Sequence, residues 1–183
     1  MESPDNELVM ACRNGNLRNF QILVERYKKP VYYFALGMIG NADDALDISQ
    51  EAFINAYKSL SRFDDSRQFK SWLFAIAANL CKNALRAAAV RRKYLGSDGV
   101  IDIGAVNAAD PEKCLITKEK KEAVWKALSE IDEEAREIII LKHFQDMSYK
   151  EIAEVLDIPA GSVMSRLHYA RLKLKNALGE DCR

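Results

Sequence analysis

Hydrophobic residues recur every three or four positions along most of the chain, which is the spacing of amphipathic helices. The alternating pattern that indicates strands is nearly absent. In the first half the periodicity predicts helices over residues 5–13, 17–28, 30–39, 42–60 and 68–90. In the second half it predicts helices over residues 112–131 and 133–144, followed by two shorter ones. We therefore expect an all-α protein.

The helical pattern is interrupted once, between the two halves of the chain. From about residue 95 to residue 110 the sequence is rich in Gly, Ser and Asn and has no helical phase. Asp110, Pro111 and Glu112 then form a typical helix start, with a capping Asp and Pro at the first helical position. The sequence thus predicts two small helical domains, over residues 1–94 and 112–183, joined by a flexible linker over residues 95–111.

The last third of the chain predicts a helix, a tight turn and a second helix. Ser148 and Glu151 have the spacing of a capping box. Residues 157–161 contain Pro and Gly and predict the turn. In the second helix, Val163 and Leu167 fall on one face, which we expect to be buried.

This unit fits either an ordinary pair of packed helices or a helix-turn-helix that presents its second helix to a DNA major groove. From Ile158 to Leu178 the outward face carries several cations and no carboxylate. That charge pattern favours DNA binding.

Composition excludes several other classes of protein. The 183 residues have zero formal net charge, no signal-peptide pattern and no apolar run that we judge long enough to span a bilayer. We therefore expect a cytoplasmic protein without membrane insertion. The four cysteines lie far apart, which favours inert thiols over a thiol switch, and no spacing predicts a metal site or a cofactor.

Charge is unevenly distributed along the chain. Cations cluster between Lys82 and Lys93 and again in the final predicted helix, whereas acids cluster at residues 43–51 and 130–137. Basic patches are suited to binding phosphate groups, and an acidic patch is suited to binding a basic protein surface. The pattern therefore indicates more than one kind of partner.

Three segments, in order, carry a family resemblance: Asp47-Ile48-Ser49-Gln50-Glu51-Ala52-Phe53, residues 69–79 and residues 148–171. Together they resemble a bacterial sigma factor of the extracytoplasmic-function class, which consists of a promoter-melting domain and a helix-turn-helix domain. The resemblance implies that the chain binds core RNA polymerase and has no catalytic residues of its own. It also implies an anti-sigma partner that holds the two domains inactive.

The acidic segment is the expected polymerase contact. On a helix, Asp47, Gln50, Glu51 and Ile54 share a face opposite Ala45, Ile48 and Ala52. A solvated polar face is the alternative. In the resembled family this surface binds a helical hairpin of the largest polymerase subunit.

The helix from residue 68 is the expected reader of the single-stranded −10 element. Amide side chains next to cationic side chains are suited to binding a single DNA strand, because the amides can hydrogen-bond to base edges while the cations bind phosphates. In the family one −10 base is flipped out and held between this helix and the loop before it. By matched position, Asn79 takes that base, and neighbouring strand and loop contacts fall to Lys82, Asn83, Arg86, Phe63 and Ser66.

The second helix of the helix-turn-helix is the expected reader of the duplex −35 element. The candidates are Ser162, Met164, Ser165, Arg166, Tyr169 and Arg171. Met164 and Tyr169 depart from the family, which often has Lys or Arg at these positions. Met164 suits a thymine methyl group instead.

Two other functions remain open from the residues alone. A dimeric helix-turn-helix repressor or activator would leave the Asp47 surface and the Asn79 face without a role. A helical enzyme that uses Asp47 and Glu51 as paired carboxylates would lack the His, Gly-rich or nucleophile motifs that accompany such chemistry.

Overall fold

The computed structural model describes residues 4–95 and 115–179. Within these two ranges the chain is helical and contains no strand. The prediction of an all-α protein with two small helical domains is confirmed. The predicted linker after residue 95 and the helix start at residues 110–112 lie outside the described residues.

The N-terminal domain contains four helices and one short turn. They are α1 (Asp5–Arg13), α2 (Leu17–Ile39), α3 (Ala42–Ser59), a 3-10 turn (Leu60–Arg62) and α4 (Phe69–Leu95). The bounds of α1 agree with the prediction. Helix α4 continues past the predicted end at residue 90 as far as the first residue of the predicted linker.

Pro30 lies inside α2, so the two helices predicted over residues 17–28 and 30–39 form one. A proline in a helix interior removes a backbone hydrogen bond and normally breaks the helix. Here Leu23, Val31 and Phe34 on either side of it are fully buried. The helix continues because packing of its apolar face outweighs the local cost.

The connection between α2 and α3 shows why these helices end and begin where they do. Gly40 has a left-handed φ of 80°, and its N–H donates to the Leu36 carbonyl at 2.8 Å. The Asn41 side chain then accepts from the N–H groups of Asp43 and Asp44, which starts α3. The two helices consequently pack side by side.

Helix α4 contains, within residues 69–94, an 18-residue window with a mean hydropathy of 1.3, so by length and composition alone it is apolar enough to cross a membrane. The expectation that no apolar run is long enough was therefore wrong by this measure. The apolar residues serve a different purpose, because Leu73, Phe74 and Ala77 are buried in the domain core. Phe74 packs edge-on against Phe34 of α2, with ring centroids 5.4 Å apart.

The C-terminal domain contains α5 (Leu115–Glu130), α6 (Glu133–Ile139), a π-helical turn (Ile140–Phe144), α7 (Tyr149–Leu156) and α8 (Ala160–Leu178). The boundary between α5 and α6 is where the sequence predicts it. Asp132 caps α6 by accepting from the Ala135 N–H at 3.1 Å. The helix predicted over residues 133–144 widens into the π-helical turn in its second half, which the sequence does not indicate.

The predicted helix-turn-helix is present as α7 and α8. The Glu151 N–H donates to Ser148 Oγ at 3.2 Å, and the Ser148 N–H donates to the Glu151 carboxylate at 2.8 Å, which completes the predicted capping box. Asp157 ends α7 in the left-handed region, with φ 52°. Val163 and Leu167 are buried, so α8 packs against the domain by the predicted face.

The two domains pack directly against each other. Buried residues of both domains belong to one continuous hydrophobic cluster. Helix α4 contacts α7, while α2 contacts α5, α6 and the π-helical turn. The contacts between domains therefore place the predicted −10 helix beside the helix-turn-helix.

Candidate nucleic-acid interface

Helix α3 presents the predicted acidic face to solvent. Asp47, Gln50, Glu51 and Ile54 are exposed, whereas Ala45, Ile48, Ala52 and Ala56 on the opposite side are buried. The structure thus brings the four predicted polymerase-contact residues together on one open surface.

Two apolar side chains beside this face were missed by the sequence reasoning. Leu46 and Tyr57 are 48% and 46% exposed, close to the 51% of Ile54. Leu46, Gln50, Ile54 and Tyr57 follow helical spacing, and this spacing is the signal that could have identified them. The surface therefore combines carboxylates with exposed apolar groups.

The loop before α4 is fixed by hydrogen bonds and an ion pair. The Ser66 N–H donates to Asp64 Oδ1 at 2.9 Å, and hydrogen bonds from Ser66 lower the pKa of the Asp64 carboxyl. Arg13 of α1 pairs with Asp65 at 2.8 Å and also donates to the Phe63 carbonyl. Ser66 itself is exposed, as a contact to a DNA strand requires.

Phe63 is a correction to the predicted site. Its side chain is only 4% exposed and lies against the rings of Phe69 and Trp72, with centroids 6.1 and 5.0 Å away. Burial of a large ring in an aromatic cluster is favourable and keeps it from contacting a base. Phe63 therefore anchors the loop to the domain core instead of contacting DNA.

The polar face of α4 is open at three of its four predicted positions. Asn79, Asn83 and Arg86 are exposed. Lys82 is different, because its Nζ lies 2.9 Å from a carboxylate oxygen of Glu137 on α6. The structure thus pairs a predicted −10 contact with an acid of the other domain.

Glu137 is an unusual partner because its side chain is only 2% exposed. Burial raises the pKa of this carboxyl, and the Lys82 ammonium only partly offsets that effect. Its second oxygen, Oε1, has no hydrogen-bond partner among the described residues. A carboxylate buried in this way costs free energy, so other contacts must hold α6 against α4.

Helix α8 presents most of the predicted −35 residues. Met164 and Tyr169 are 69% and 64% exposed, and Ser165, Arg166 and Arg171 are exposed as well. Ser162 is half-buried at the start of the helix, and its carbonyl accepts from Ser165 Oγ at 3.0 Å.

Arg171 has a local contact that the sequence did not predict. Its Nε donates to His143 Nε2 of the π-helical turn at 3.3 Å. Partial burial lowers the pKa of His143, and the Arg171 guanidinium lowers it further. A neutral imidazole can accept this hydrogen bond, which holds the Arg171 side chain on the helix surface.

A cavity of about 260 Å³ lies where the two predicted DNA-reading helices approach each other. Lys82 of α4, Glu137 of α6 and Arg166 and Tyr169 of α8 all contribute to its lining. Sequence spacing gives no sign of this juxtaposition, because Lys82 and Arg166 lie in different domains.

Both domains match known families in the order that the sequence analysis predicts. Residues 23–91 match the family described as Sigma-70 region 2, and residues 121–174 match that described as Sigma-70, region 4. Region 2 thus covers α3, the loop and most of α4, and region 4 covers the helix-turn-helix.

Relatives and solved structures agree with these matches. The chain is 30% identical to the ECF RNA polymerase sigma factor SigW of Bacillus subtilis over 97% of this chain and 98% of that protein. It is 32% identical to the ECF RNA polymerase sigma-E factor of Escherichia coli over 94% of this chain and 93% of that protein.

Two solved complexes contain similar chains. CnrH, solved with the cytosolic domain of CnrY, has 26% identity and a TM-score of 0.70 over 98% of this chain and 99% of its own. The sigma factor RpoE of Bartonella quintana, solved with the anti-sigma factor NepR, has 25% identity and a TM-score of 0.72 over 90% of this chain and 99% of its own. With both regions matched and relatives aligned along almost their whole length, the chain belongs to the extracytoplasmic-function sigma factors, which direct bacterial RNA polymerase to promoters.

Proposed function

We propose that this chain binds core RNA polymerase through α3, reads the −10 strand with α4 and the −35 duplex with α8, and helps to open the promoter. The observation that carries the proposal is the order of three exposed surfaces on one chain: an acidic face, an amide and cation face, and a recognition helix. In this proposal the chain supplies specificity and the polymerase supplies catalysis. We keep the domain boundaries at residues 1–94 and 112–183, with the linker over residues 95–111.

The polymerase contact is assigned to Asp47, Gln50, Glu51 and Ile54, with Leu46 and Tyr57 added beside them. Carboxylates would steer the approach of a basic helical hairpin, and the apolar groups would be desolvated on contact. Exposure of both kinds of group on one helix supports this assignment.

The −10 contact is assigned to Asn79, Lys82, Asn83, Arg86 and Ser66. A base pulled from the stack costs a few kcal/mol, which contacts in a pocket must offset. The exposed Asn79 amide is suited to bonding a base edge, and the cations to holding phosphates on either side. Lys82 can take part only after it leaves Glu137.

The −35 contact is assigned to Ser162, Met164, Ser165, Arg166, Tyr169 and Arg171. Arg166 is the residue best suited to guanine, and Met164 to a thymine methyl group. Arg171 and the serine hydroxyl groups would bond phosphates and fix the helix in the groove.

We also propose control by an anti-sigma factor in the cytoplasm. Similarity to RpoE, solved with the anti-sigma factor NepR, supports this part of the proposal. Two weak DNA-binding modules on one polymerase raise each other's effective concentration, which is consistent with a zero net charge.

The test is to mix the purified protein with bacterial core polymerase, separate the complex by size exclusion and assay run-off transcription from a genomic promoter library. Glu51→Lys places a cation in the acidic face and should abolish co-elution. Glu7→Lys makes the same change on the exposed surface of α1 and should leave co-elution intact. Specific DNA binding without any need for polymerase would instead indicate a conventional helix-turn-helix regulator.

A further inference from the structure

The π-helical turn at the end of α6 brings a histidine to the surface of α8. The Gln145 N–H donates to the Ile140 carbonyl at 3.1 Å, a bond that spans five residues instead of the usual four. Widened turns of this kind are frequent at functional sites. His143 lies inside the turn and is exposed, and its Nε2 accepts from Arg171 Nε at 3.3 Å. The turn and α8 therefore meet at this pair of side chains.

This hydrogen bond determines which part of the Arg171 guanidinium is presented to solvent. A guanidinium carries five N–H donors in a planar fork. Nε is bonded to His143, whereas the two Nη groups have no hydrogen-bond acceptor among the described residues. The two Nη groups are the pair of donors that can bond two oxygens of one phosphate.

The position of Arg171 along α8 is suited to a phosphate. It lies seven residues after Met164 on the same exposed face, which is about 10 Å further along the helix axis. The N-terminal residues of a recognition helix contact base edges. Because the major groove is only about 12 Å wide, a side chain so far along the helix meets the sugar-phosphate backbone at its edge.

The two charges that act on His143 are both positive. Partial burial, the Arg171 guanidinium and the Lys142 ammonium together hold the pKa of His143 below its usual 6.5. The imidazole is therefore neutral at pH 7. In this form it has the lone pair that accepts the hydrogen bond from Arg171.

The elements packed against the turn do not change this balance. Lys142 stays close, because its Nζ donates to the Met147 carbonyl at 3.1 Å and lies 5.6 Å from the centre of the Tyr149 ring. Helices α2, α6 and α7 pack against the turn, but none of their described carboxylates affects the pKa of His143. Glu151 of α7 interacts with Lys142 instead.

We propose that neutral His143 is a positioning residue for the −35 element: it accepts the Nε hydrogen bond of Arg171 and holds the two Nη groups toward one phosphate of the duplex. The proposal rests on the proposed function, because it takes Arg171 as a phosphate contact. Protonation removes the acceptor and places a third cation beside Arg171 and Lys142, which releases the Arg171 side chain.

Promoter affinity should therefore depend on pH. It should be full above about pH 6.5, where the imidazole is neutral, and should fall as the pH drops through the lowered pKa of His143. An arginine that must be ordered during binding costs about two- to tenfold in affinity. We expect a loss of this size in acid.

The test uses the full chain assembled with core polymerase. Fluorescence anisotropy gives the Kd for a promoter fragment from about pH 5 to pH 8, at one salt concentration because salt alone changes such affinities. His143→Ala should have the weaker, acid value at every pH. His143→Gln should keep the tighter value throughout, because its amide oxygen can accept from Arg171 Nε at any pH. Titration of polymerase groups is common to all variants and cancels in the ratios.

His168→Gln is the matched control, since it removes the only other histidine of the chain. The His168 ring lies against Tyr169, with centroids 5.7 Å apart, and has no recorded contact with Arg171 in the part of the chain that the structure describes. This variant should keep the pH profile of the wild type. A flat profile for His168→Gln would overturn the proposal.

A double-mutant cycle separates positioning from a direct contact. In the Arg171→Ala background, His143→Ala should have no further effect, because His143 acts only through Arg171. Additive losses, or an affinity that rises in acid through His143, would mean that the imidazole binds DNA itself and would overturn the proposal. A holoenzyme whose promoter affinity ignores His143 would overturn this proposal alone, whereas a wild-type chain that forms no promoter-binding holoenzyme would refute the proposed function.

Discussion

At the scale of single residues, exposure separates side chains that can meet DNA from those that shape the surface. Asn79 and Phe63 both stand in the predicted −10 site, yet Asn79 is exposed and Phe63 is buried under the loop. The family resemblance assigned both residues to this site. It could not predict the burial of Phe63, because that depends on Phe69 and Trp72 closing over the same ring.

Asn79→Ala should reduce opening of the −10 element much more than assembly of the holoenzyme. The substitution removes an amide that can bond a flipped base, while the acidic face of α3 is untouched. Permanganate footprinting measures opening, and co-elution with core polymerase measures assembly. Equal opening by the variant and the wild type would contradict the role given to Asn79.

Arg166→Ala should weaken binding at the −35 element by about 1–3 kcal/mol, the usual value of a bidentate contact to a base. The loss should be greatest at one base pair, because Arg166 is assigned to direct recognition. Arg171→Ala is the matched comparison, and it should weaken all sequences alike. Footprinting of the holoenzyme on promoter variants would distinguish the two, and an unchanged −35 footprint for Arg166→Ala would contradict its assignment.

At the scale of elements, local chemistry was the most predictable part of the molecule. The capping box at Ser148 and Glu151 involves neighbours in sequence, so its spacing was sufficient to predict the start of α7. The predicted helix break at Pro30 was wrong for the opposite reason. Contacts in the domain core outweigh the local tendency of proline to end a helix, so α2 continues through it. The π-helical turn after α6 also follows from tertiary packing and leaves no periodic signal.

Ser148→Ala should lower the free energy of unfolding by about 1 kcal/mol, because the first turn of α7 loses its cap. Ser148→Thr keeps the hydroxyl group and should stay close to the wild type. Partial burial raises the pKa of Glu151, but hydrogen bonds from Ser148 and the nearby charges of Lys70 and Lys142 together outweigh this and leave the pKa below the usual 4.5. Stabilisation by this carboxylate is thus present above about pH 4.5 and is lost as pH falls through the lowered value.

Urea denaturation of these proteins and of Glu151→Ala at pH 7 and near pH 3 measures both parts of this prediction. Ser148→Ala keeps the backbone N–H that bonds the carboxylate, so its difference from the wild type should largely persist in acid, whereas the difference between Glu151→Ala and the wild type should shrink. A Glu151→Ala difference that is constant with pH would mean that the carboxylate takes no part in the cap.

At the scale of the whole molecule, the sequence predicted two domains but not how they meet. Lys82 and Glu137 lie in different domains, and nothing in the periodicity of either helix indicates a shared partner. Gly37 likewise looks in the sequence like an ordinary residue of low helix propensity. Only the structure shows that Ile140 and Trp125 pack against it. Contacts between distant segments depend on the complete arrangement of faces, which a single sequence does not give.

The continuous hydrophobic cluster predicts cooperative unfolding of the two domains. Because both contribute to one core, calorimetry of the wild type should show a single transition. Gly37→Ala should divide it into two, as each domain then unfolds alone. Two transitions in the wild type would contradict energetic coupling through the shared core.

The contact at Gly37 also bears on which substitutions related chains can accept. A Cβ atom at residue 37 would lie 2.7 Å from Ile140 Cδ1 and 2.9 Å from Trp125 Cζ3, so even the smallest side chain requires its neighbours to move. A larger residue at position 37 would fit only beside smaller residues at positions 125 and 140. We therefore expect these three positions, the first of which lies about a hundred residues from the other two in the chain, to change together among relatives that share this packing.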